Sequence, residues 1–424
     1  MTFKKENLID FCFLFYILAY YANISVLFIT LFKIPSPLSQ LLNYSSLILV
    51  LFAWNLIPNK KFIVFNKFFA LLLTFIFSYL IVGFLSTCFY NSLDQIIRIV
   101  PQYSRAAIDV VLFMNYFFYL YEKKNSIDKQ LFYITLIFVI GMSSVVVFYL
   151  LDFELFYVRL DQAYGLIERP SGLYANPNIA ARYCCVTLIL LLYHLFNHAN
   201  LRKRIGLILL ILFTVFTIFI TFSNTGQLAA IGIILIAFIK GKFLNKTSLI
   251  ITSILLVATG ITLQSTDSKK FEFSSTQLDK IQNLYNVLTL NTQSVSYSSR
   301  DYIVQETLRK SKENPITGFG LGSYTIVYKT WGTHNTYLGL LIDAGVIPLI
   351  IYIVFLLFTG SMGFLMRGSL QGVGFTFMAW VFLTGIYSFA SHNVIDNGKF
   401  YFLNILFFIL YSCKKKVSND LALA

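Results

Sequence analysis

The chain has 424 residues, of which 57% are hydrophobic, 17% aromatic and only 12% charged, with a mean hydropathy of +0.72. Soluble domains carry about 25% charged residues, whereas here the apolar residues come in blocks of roughly 17–25, the length that crosses about 30 Å of hydrocarbon. This excludes a cytosolic enzyme, a disulfide-stapled secreted scaffold, a disordered tail and a nucleic-acid-binding domain, and it makes the formal charge of +14 a matter of membrane orientation before any polyanionic partner is invoked.

An all-α polytopic membrane protein is predicted, with twelve spans at about 9–32, 40–57, 68–89, 107–121, 131–151, 177–197, 205–222, 226–240, 248–264, 335–359, 372–391 and 398–413. Lys4 and Lys5 precede an apolar run too long for the core of a cleavable leader, so the first helix is expected to act as its own targeting signal. With the N-terminus inside, every inner connection is short and basic. Lys60, Lys61 and Lys67 lie on one such connection, and Arg202, Lys203 and Arg204 on another. The inner loops and termini hold 18 of the 33 basic residues, and the even number of spans returns the C-terminus to the cytoplasm. Against five acids this inner set is a net +13, which leaves the outer side nearly neutral. The +14 therefore reports orientation.

Three stretches result: 1–264 with nine spans, a large extracytoplasmic loop at 265–334, and 335–424 with the last three spans and a cytoplasmic tail. A structureless loop of that length is improbable without a task. Leu278, Ile281, Leu284 and Leu288 recur at helical spacing, and a second helix is predicted from about Ser298 to just before Asn314-Pro315. No internal repeat is visible. The five cysteines lie in or beside apolar runs without metal or redox spacing, and read as small core hydrophobes.

The outer loops carry the chemistry. Asn176-Pro177 reads as a helix cap followed by proline at the first helical position. That aims a helix N-terminus outward between Arg169 and Arg182, where donors and dipole together could hold an anion. The plainer alternative is a well-capped span with interfacial arginines. Arg300-Asp301 is either a surface ion pair or, if the loop folds over a cleft, part of a site. His334-Asn335 opens the tenth span, where the helix dipole disfavours an imidazolium and leaves a neutral ring able to accept a proton. A structural histidine at a helix end is the alternative. Asp343 falls deeper in the same run, and an ionisable group at such depth is a functional candidate by default. Gly318, Gly320 and Gly322 are no nucleotide loop, since no lysine-serine follows, and no metal-ligand or nucleophile-elbow motif occurs. No cofactor is expected, and the energy for a reaction must come from the substrate or an ion gradient.

Two strings carry a resemblance. "SSRDYIVQETLRKSKENPITGFGLGSY" followed by "THNTYLGLLIDAGVIPLIIYIV" resembles the C-terminal signature of the O-antigen ligase and polymerase superfamily, and "RPSGLYANPNIAARY" resembles its upstream element. The resemblance implies glycosyl transfer at the periplasmic face of the bacterial inner membrane, from a glycan on undecaprenyl pyrophosphate to a sugar hydroxyl, without metal or nucleotide. It implies that His334 activates or orients the acceptor hydroxyl and that Arg300 and Arg169 hold the departing pyrophosphate. Arg182, Asn178, Asn335 and Arg159 join them as expected binders of pyrophosphate or glycan. There is one departure. Family members often carry Ser-Arg at a tight turn between two central spans, and here that turn reads Ser223-Asn224. Arg182, Arg159 or Lys329 is then expected to compensate.

The leading functional expectation is a polymerase of O-antigen or a related surface polysaccharide, working among membrane lipids and alongside a flippase and a chain-length regulator. The ligase of the same superfamily, with lipid A–core as acceptor, is the alternative. A flippase for the same lipid-linked sugars belongs to a different class, and the long asymmetric outer segment and absent repeat symmetry count against it. A peptidoglycan-type polymerase would share the outer-face chemistry, but its sequence elements are not found.

Overall fold

The computed structural model describes residues 5–23, 26, 36–58, 67–123, 127–151, 170–174, 176–197, 201–241, 300–323, 334–391, 394–395 and 398–423. Among these residues every regular element is helical. The α-helices are α1 (Lys5–Tyr16, running on into a π turn at Ile17–Tyr21), α2 (Ser36–Leu56), α3 (Lys67–Tyr90), α4 (Leu93–Glu122), α5 (Ile127–Leu150), α6 (Pro177–Asn197) and α7 (Leu201–Ile220). They continue with α8 (Asn224–Lys240), α9 (Arg300–Ser311), α10 (Thr336–Ala344), α11 (Val346–Leu365), α12 (Gln371–Ala390) and α13 (Gly398–Leu423). Six helical stretches among the described residues are long and apolar enough to cross a membrane: those of α3, α5, α6, α7 and α11, and Gly368–Ala390 around α12. The expected span at 248–264 and the amphipathic stretch around Leu278–Leu288 lie outside the described residues.

The chain folds into two compact units that are each discontinuous in sequence: residues 1–53 with 128–296, and residues 54–127 with 297–424. In the first, α6 is the central helix. Ala180, Cys184, Cys185, Leu188 and Ile189 have no solvent-exposed surface, and both α7 and α8 pack against it.

In the second unit the core is aromatic. Phe68 of α3 lies 4.9 Å from Phe377 and 5.2 Å from Phe408, and Phe75 lies 5.1 Å from Tyr352. Phe113 of α4 meets Phe402 of α13 at 4.6 Å. Leu72, Phe75, Ile76 and Tyr79 line the buried face of α3, while Phe77, Ile81 and Phe84 form an exposed apolar stripe on its other face. A stripe of large apolar side chains on the outside of a helix that is also apolar within is what hydrocarbon requires and water penalises. At Gly374 a Cβ would lie 2.7 Å from the Gly363 carbonyl oxygen, so α11 and α12 approach through small residues, as membrane helices commonly do.

The apolar run at 335–359, read from sequence as one span, is two helices. α10 has nine residues, too few to cross a bilayer, and Gly345 separates it from α11. Fifteen residues on a straight helix would part Tyr337 from Tyr352 by about 22 Å, but their rings are 5.8 Å apart. The chain therefore folds back at Gly345. That residue has φ +80°, and an added Cβ would sit 2.0 Å from the Ile316 carbonyl oxygen. A Gly345→Ala variant should lose about 2–5 kcal/mol of stability, combining a glycine-only backbone conformation with a clash against main chain. Thermal unfolding in detergent would show it; a melting temperature equal to wild type would mean the break tolerates a side chain.

Candidate functional site

In the first unit two helix N-termini meet. Asn176 caps α6, its Oδ1 accepting the Asn178 N–H at 2.8 Å, and Pro177 fills the first helical position, where no N–H is needed. Ser223 caps α8, its Oγ accepting the Gly226 N–H at 3.2 Å. The same Ser223 hydroxyl donates to Asn178 Oδ1 at 2.8 Å and ties the two ends together. Arg182 follows Asn178 by one helical turn. It is 9% exposed, donates to the Tyr183 hydroxyl at 3.2 Å and lies 5.2 Å from that ring. Two dipole ends and a guanidinium of the same sign favour an anion or an electron-rich oxygen. Asn224, where an arginine was expected, stands at the start of α8, and its buried Oδ1 has no hydrogen-bond partner among the described residues. It offers an acceptor in place of a cation.

The segment ahead of α6 is built to dock. The Leu173 N–H donates to Ser144 Oγ of α5 at 3.0 Å, and Gly172, with φ +56°, leaves no room for a Cβ beside Val145. Tyr174 stacks on Tyr183 at 5.1 Å, and burial pushes its hydroxyl well above the usual tyrosine range. The glycine and tyrosine of "RPSGLY" thus have structural roles. Arg159 and Arg169 lie outside the described residues.

In the second unit Arg300 is the first residue of α9, and the turn after that helix docks on α10. The Phe319 N–H donates to Ile342 O at 2.7 Å, the Gly320 N–H to Asp343 O at 3.0 Å, and the Val346 N–H to Pro315 O at 2.8 Å. The last carbonyls of α10 and the first amide of α11, left without intrahelical partners by the break, are thereby satisfied from the Asn-Pro-x-x-Gly-x-Gly segment. Gly320, with φ +107°, lies against the backbone of Thr87 on α3. Gly318, against the backbone of Ile342 to Ala344, and Gly320 serve this close approach.

At the other end of α10, Asn335 is the helix cap and its side chain accepts the Leu338 N–H at 3.1 Å. The Thr336 hydroxyl donates to the Ser391 carbonyl oxygen beyond the end of α12. His334, half-buried just ahead of the cap, has φ +50°, a left-handed conformation uncommon outside glycine and enriched at functional positions. Asn335 and His334 are thus adjacent at one helix N-terminus, while Asn178 and Arg182 lie together at another. His194, by contrast, is buried with Nε2 3.0 Å from Thr135 Oγ1, a satisfied core histidine.

Two further charged residues escaped the sequence reading. Asp109 on α4 and Lys399 on α13 are buried, at 0% and 8% exposure, close to the Phe113–Phe402 contact in sequence. The signal was available, because Arg98, Gln102, Arg105 and Asp109 fall on one helical face at intervals of four, three and four. Among the described residues no group of His, Cys, Asp or Glu could hold a metal ion.

Six helical stretches among the described residues that are long and apolar enough to cross a membrane define a multi-pass helical membrane protein. Residues 207–353, about a third of the chain, match the family described as O-antigen ligase, and this match supports the O-antigen ligase and polymerase superfamily, whose members are glycosyltransferase-like enzymes. The matched stretch includes the Ser223 turn, Arg300, the signature glycines and His334. No curated protein matches the chain.

Proposed function

We propose that this chain is a surface-polysaccharide polymerase that joins undecaprenyl-pyrophosphate-linked repeat units at the periplasmic face of the inner membrane. The observation that carries this reading is the placement of His334, in a left-handed conformation at the capped N-terminus of a short helix, inside the stretch that matches the family.

In the proposed reaction the acceptor hydroxyl oxygen bonds to the anomeric carbon of the donor sugar. Its proton passes to His334, and the bond from that carbon to the pyrophosphate oxygen breaks, the electron pair leaving with the pyrophosphate. A ring at the positive end of a helix dipole is favoured neutral, the form that accepts a proton. As the resemblance implies, Arg300 and Arg169 spread the charge that develops on the leaving group. The leaving group is already activated, so the reaction needs no nucleotide.

The family's own description favours a second reading, a ligase that transfers the finished glycan to lipid A–core. Deleting the gene and resolving the lipopolysaccharide on a gel separates the two. Core carrying a single repeat is expected for a lost polymerase. Bare core would replace that reading with the ligase or a flippase, and an unchanged ladder would overturn all three.

A further inference from the structure

Asp343 is 1% exposed and carries a carboxylate that hydrocarbon should exclude. Its oxygens are met by donors from two other segments. Oδ1 accepts the Ser323 N–H at 3.1 Å and the Ser323 hydroxyl at 2.8 Å. Oδ2 lies 3.4 Å from the Tyr79 hydroxyl of α3, which is itself 3.3 Å from the Tyr103 hydroxyl of α4. The Tyr79 hydroxyl has one proton to share between the Asp343 carboxyl and the Tyr103 oxygen. Asp343 therefore joins the end of α10 to the signature turn, to α3 and, through Tyr79, to α4.

α10 needs such a tie. Nine residues do not form a stable helix alone, and the reversal at Gly345 denies α10 the support of continuity with α11. Its axis is set by what holds its two ends: the Asn335 cap and the Thr336–Ser391 bond at the start, and at the finish the Phe319 and Gly320 amides on its last carbonyls together with the Asp343 side chain.

We propose that Asp343 is a positioning residue for His334, holding the short helix that carries the histidine in register, and not an acid, a base or an ion-coupling carboxylate. This rests on the reading of His334 as the proton acceptor. Misplacing a reacting group by about 1 Å can cost on the order of 100-fold in rate, so the link is testable through turnover and through His334 itself.

Asp343→Ala, Asp343→Asn and Tyr79→Phe would be compared in the full-length protein. Two readouts serve: turnover of a lipid-linked repeat in vitro, with the donor KM, and the rate at which diethyl pyrocarbonate modifies His334 in membranes, followed by mass spectrometry. The other three histidines are internal references. Asparagine keeps one acceptor oxygen for Ser323, so a positioning role predicts graded loss. Turnover should fall at least ~10-fold in Asp343→Ala, with an intermediate value in Asp343→Asn, a smaller loss in Tyr79→Phe, and donor KM within about twofold. The His334 modification rate should change in the same order. Asparagine as inactive as alanine with His334 reactivity unchanged would overturn the proposal, because the carboxylate would then act directly. Wild-type reactivity and turnover in all three variants would overturn it too. If the Asp343 variants fail to accumulate, Tyr79→Phe decides by the same criteria. Should His334→Ala retain activity, the reading of His334 as base fails, while the modification rates still decide whether Asp343 positions that residue.

Discussion

His334→Ala should reach the membrane at wild-type abundance and form no polymer, with turnover of a lipid-linked repeat reduced by about 10²–10⁴-fold, the usual weight of a general base. The reasoning starts from the backbone. His334 sits at φ +50° just outside the cap of α10, and alanine tolerates that conformation less well than histidine. The cap itself is Asn335, whose bond to the Leu338 N–H does not involve the imidazole, and Thr336 anchors the helix to Ser391 independently. Removing the ring therefore removes the imidazole while the cap and the anchor keep their own hydrogen bonds. His334→Gln separates the two further, since it keeps hydrogen-bonding capacity without a basic nitrogen. Full-length polysaccharide from either variant would dismiss the base. The comparison that matters is with Thr336→Val, which loses the anchor and keeps the imidazole. It should reduce stability before it reduces chemistry.

How far these features were legible depends on the range of the interaction that creates them. Apolar runs report burial in hydrocarbon residue by residue, so the spans of α3, α5, α6 and α7 could be read directly, as could the cap-and-proline start of α6 at Asn176-Pro177. The break at Gly345 could not. The run from His334 to Val354 stays apolar through it, and the reversal depends on Pro315 accepting from Val346 and on Ile316 filling the space where a Cβ would be. Those partners lie about thirty residues away, beyond any periodic signal. The same holds for Asp343, which composition marks as an intramembrane charge and only the fold shows to be tied to Ser323 and Tyr79. α4 failed for the opposite reason. It runs from Leu93, well before the span expected at 107–121, because Asp94, Arg98, Arg105 and Asp109 interrupt the apolar count while sharing helical spacing. A test for polar residues on one face would have extended it. His334 and Arg300 were marked by resemblance, and their placement at the start of separate helices is a matter of the fold.

Arg300→Lys should cost nearly as much activity as Arg300→Ala, whereas Arg309→Lys on the same helix should cost little. Both arginines belong to the twelve residues of α9. Arg309 donates through two guanidinium nitrogens to Glu306, one of them Nε at 2.9 Å, and Lys310 pairs with Glu313 at 2.7 Å. The hydrogen bond from Arg309 holds the Glu306 carboxyl below the usual carboxylate range. A depressed carboxylate contributes stability above its unfolded value and loses it as the pH falls through the folded one, so this pair is fully present at neutral pH. It is also exposed, with the Arg309 side chain 64% accessible, and exposed pairs count for little. Lysine in its place keeps the charge and forfeits only a well-solvated fork. Arg300 opens the helix one and a half turns before Glu306, and its proposed partner is a pyrophosphate whose paired oxygens match a planar guanidinium and not a point charge. Losing that bidentate contact where charge develops should lower turnover by about 10²-fold, and the donor KM should change less if the contact strengthens toward the transition state. Chain lengths and turnover at wild-type level in Arg300→Lys would dismiss the bidentate contact, and Arg300 would then count for no more than Arg309.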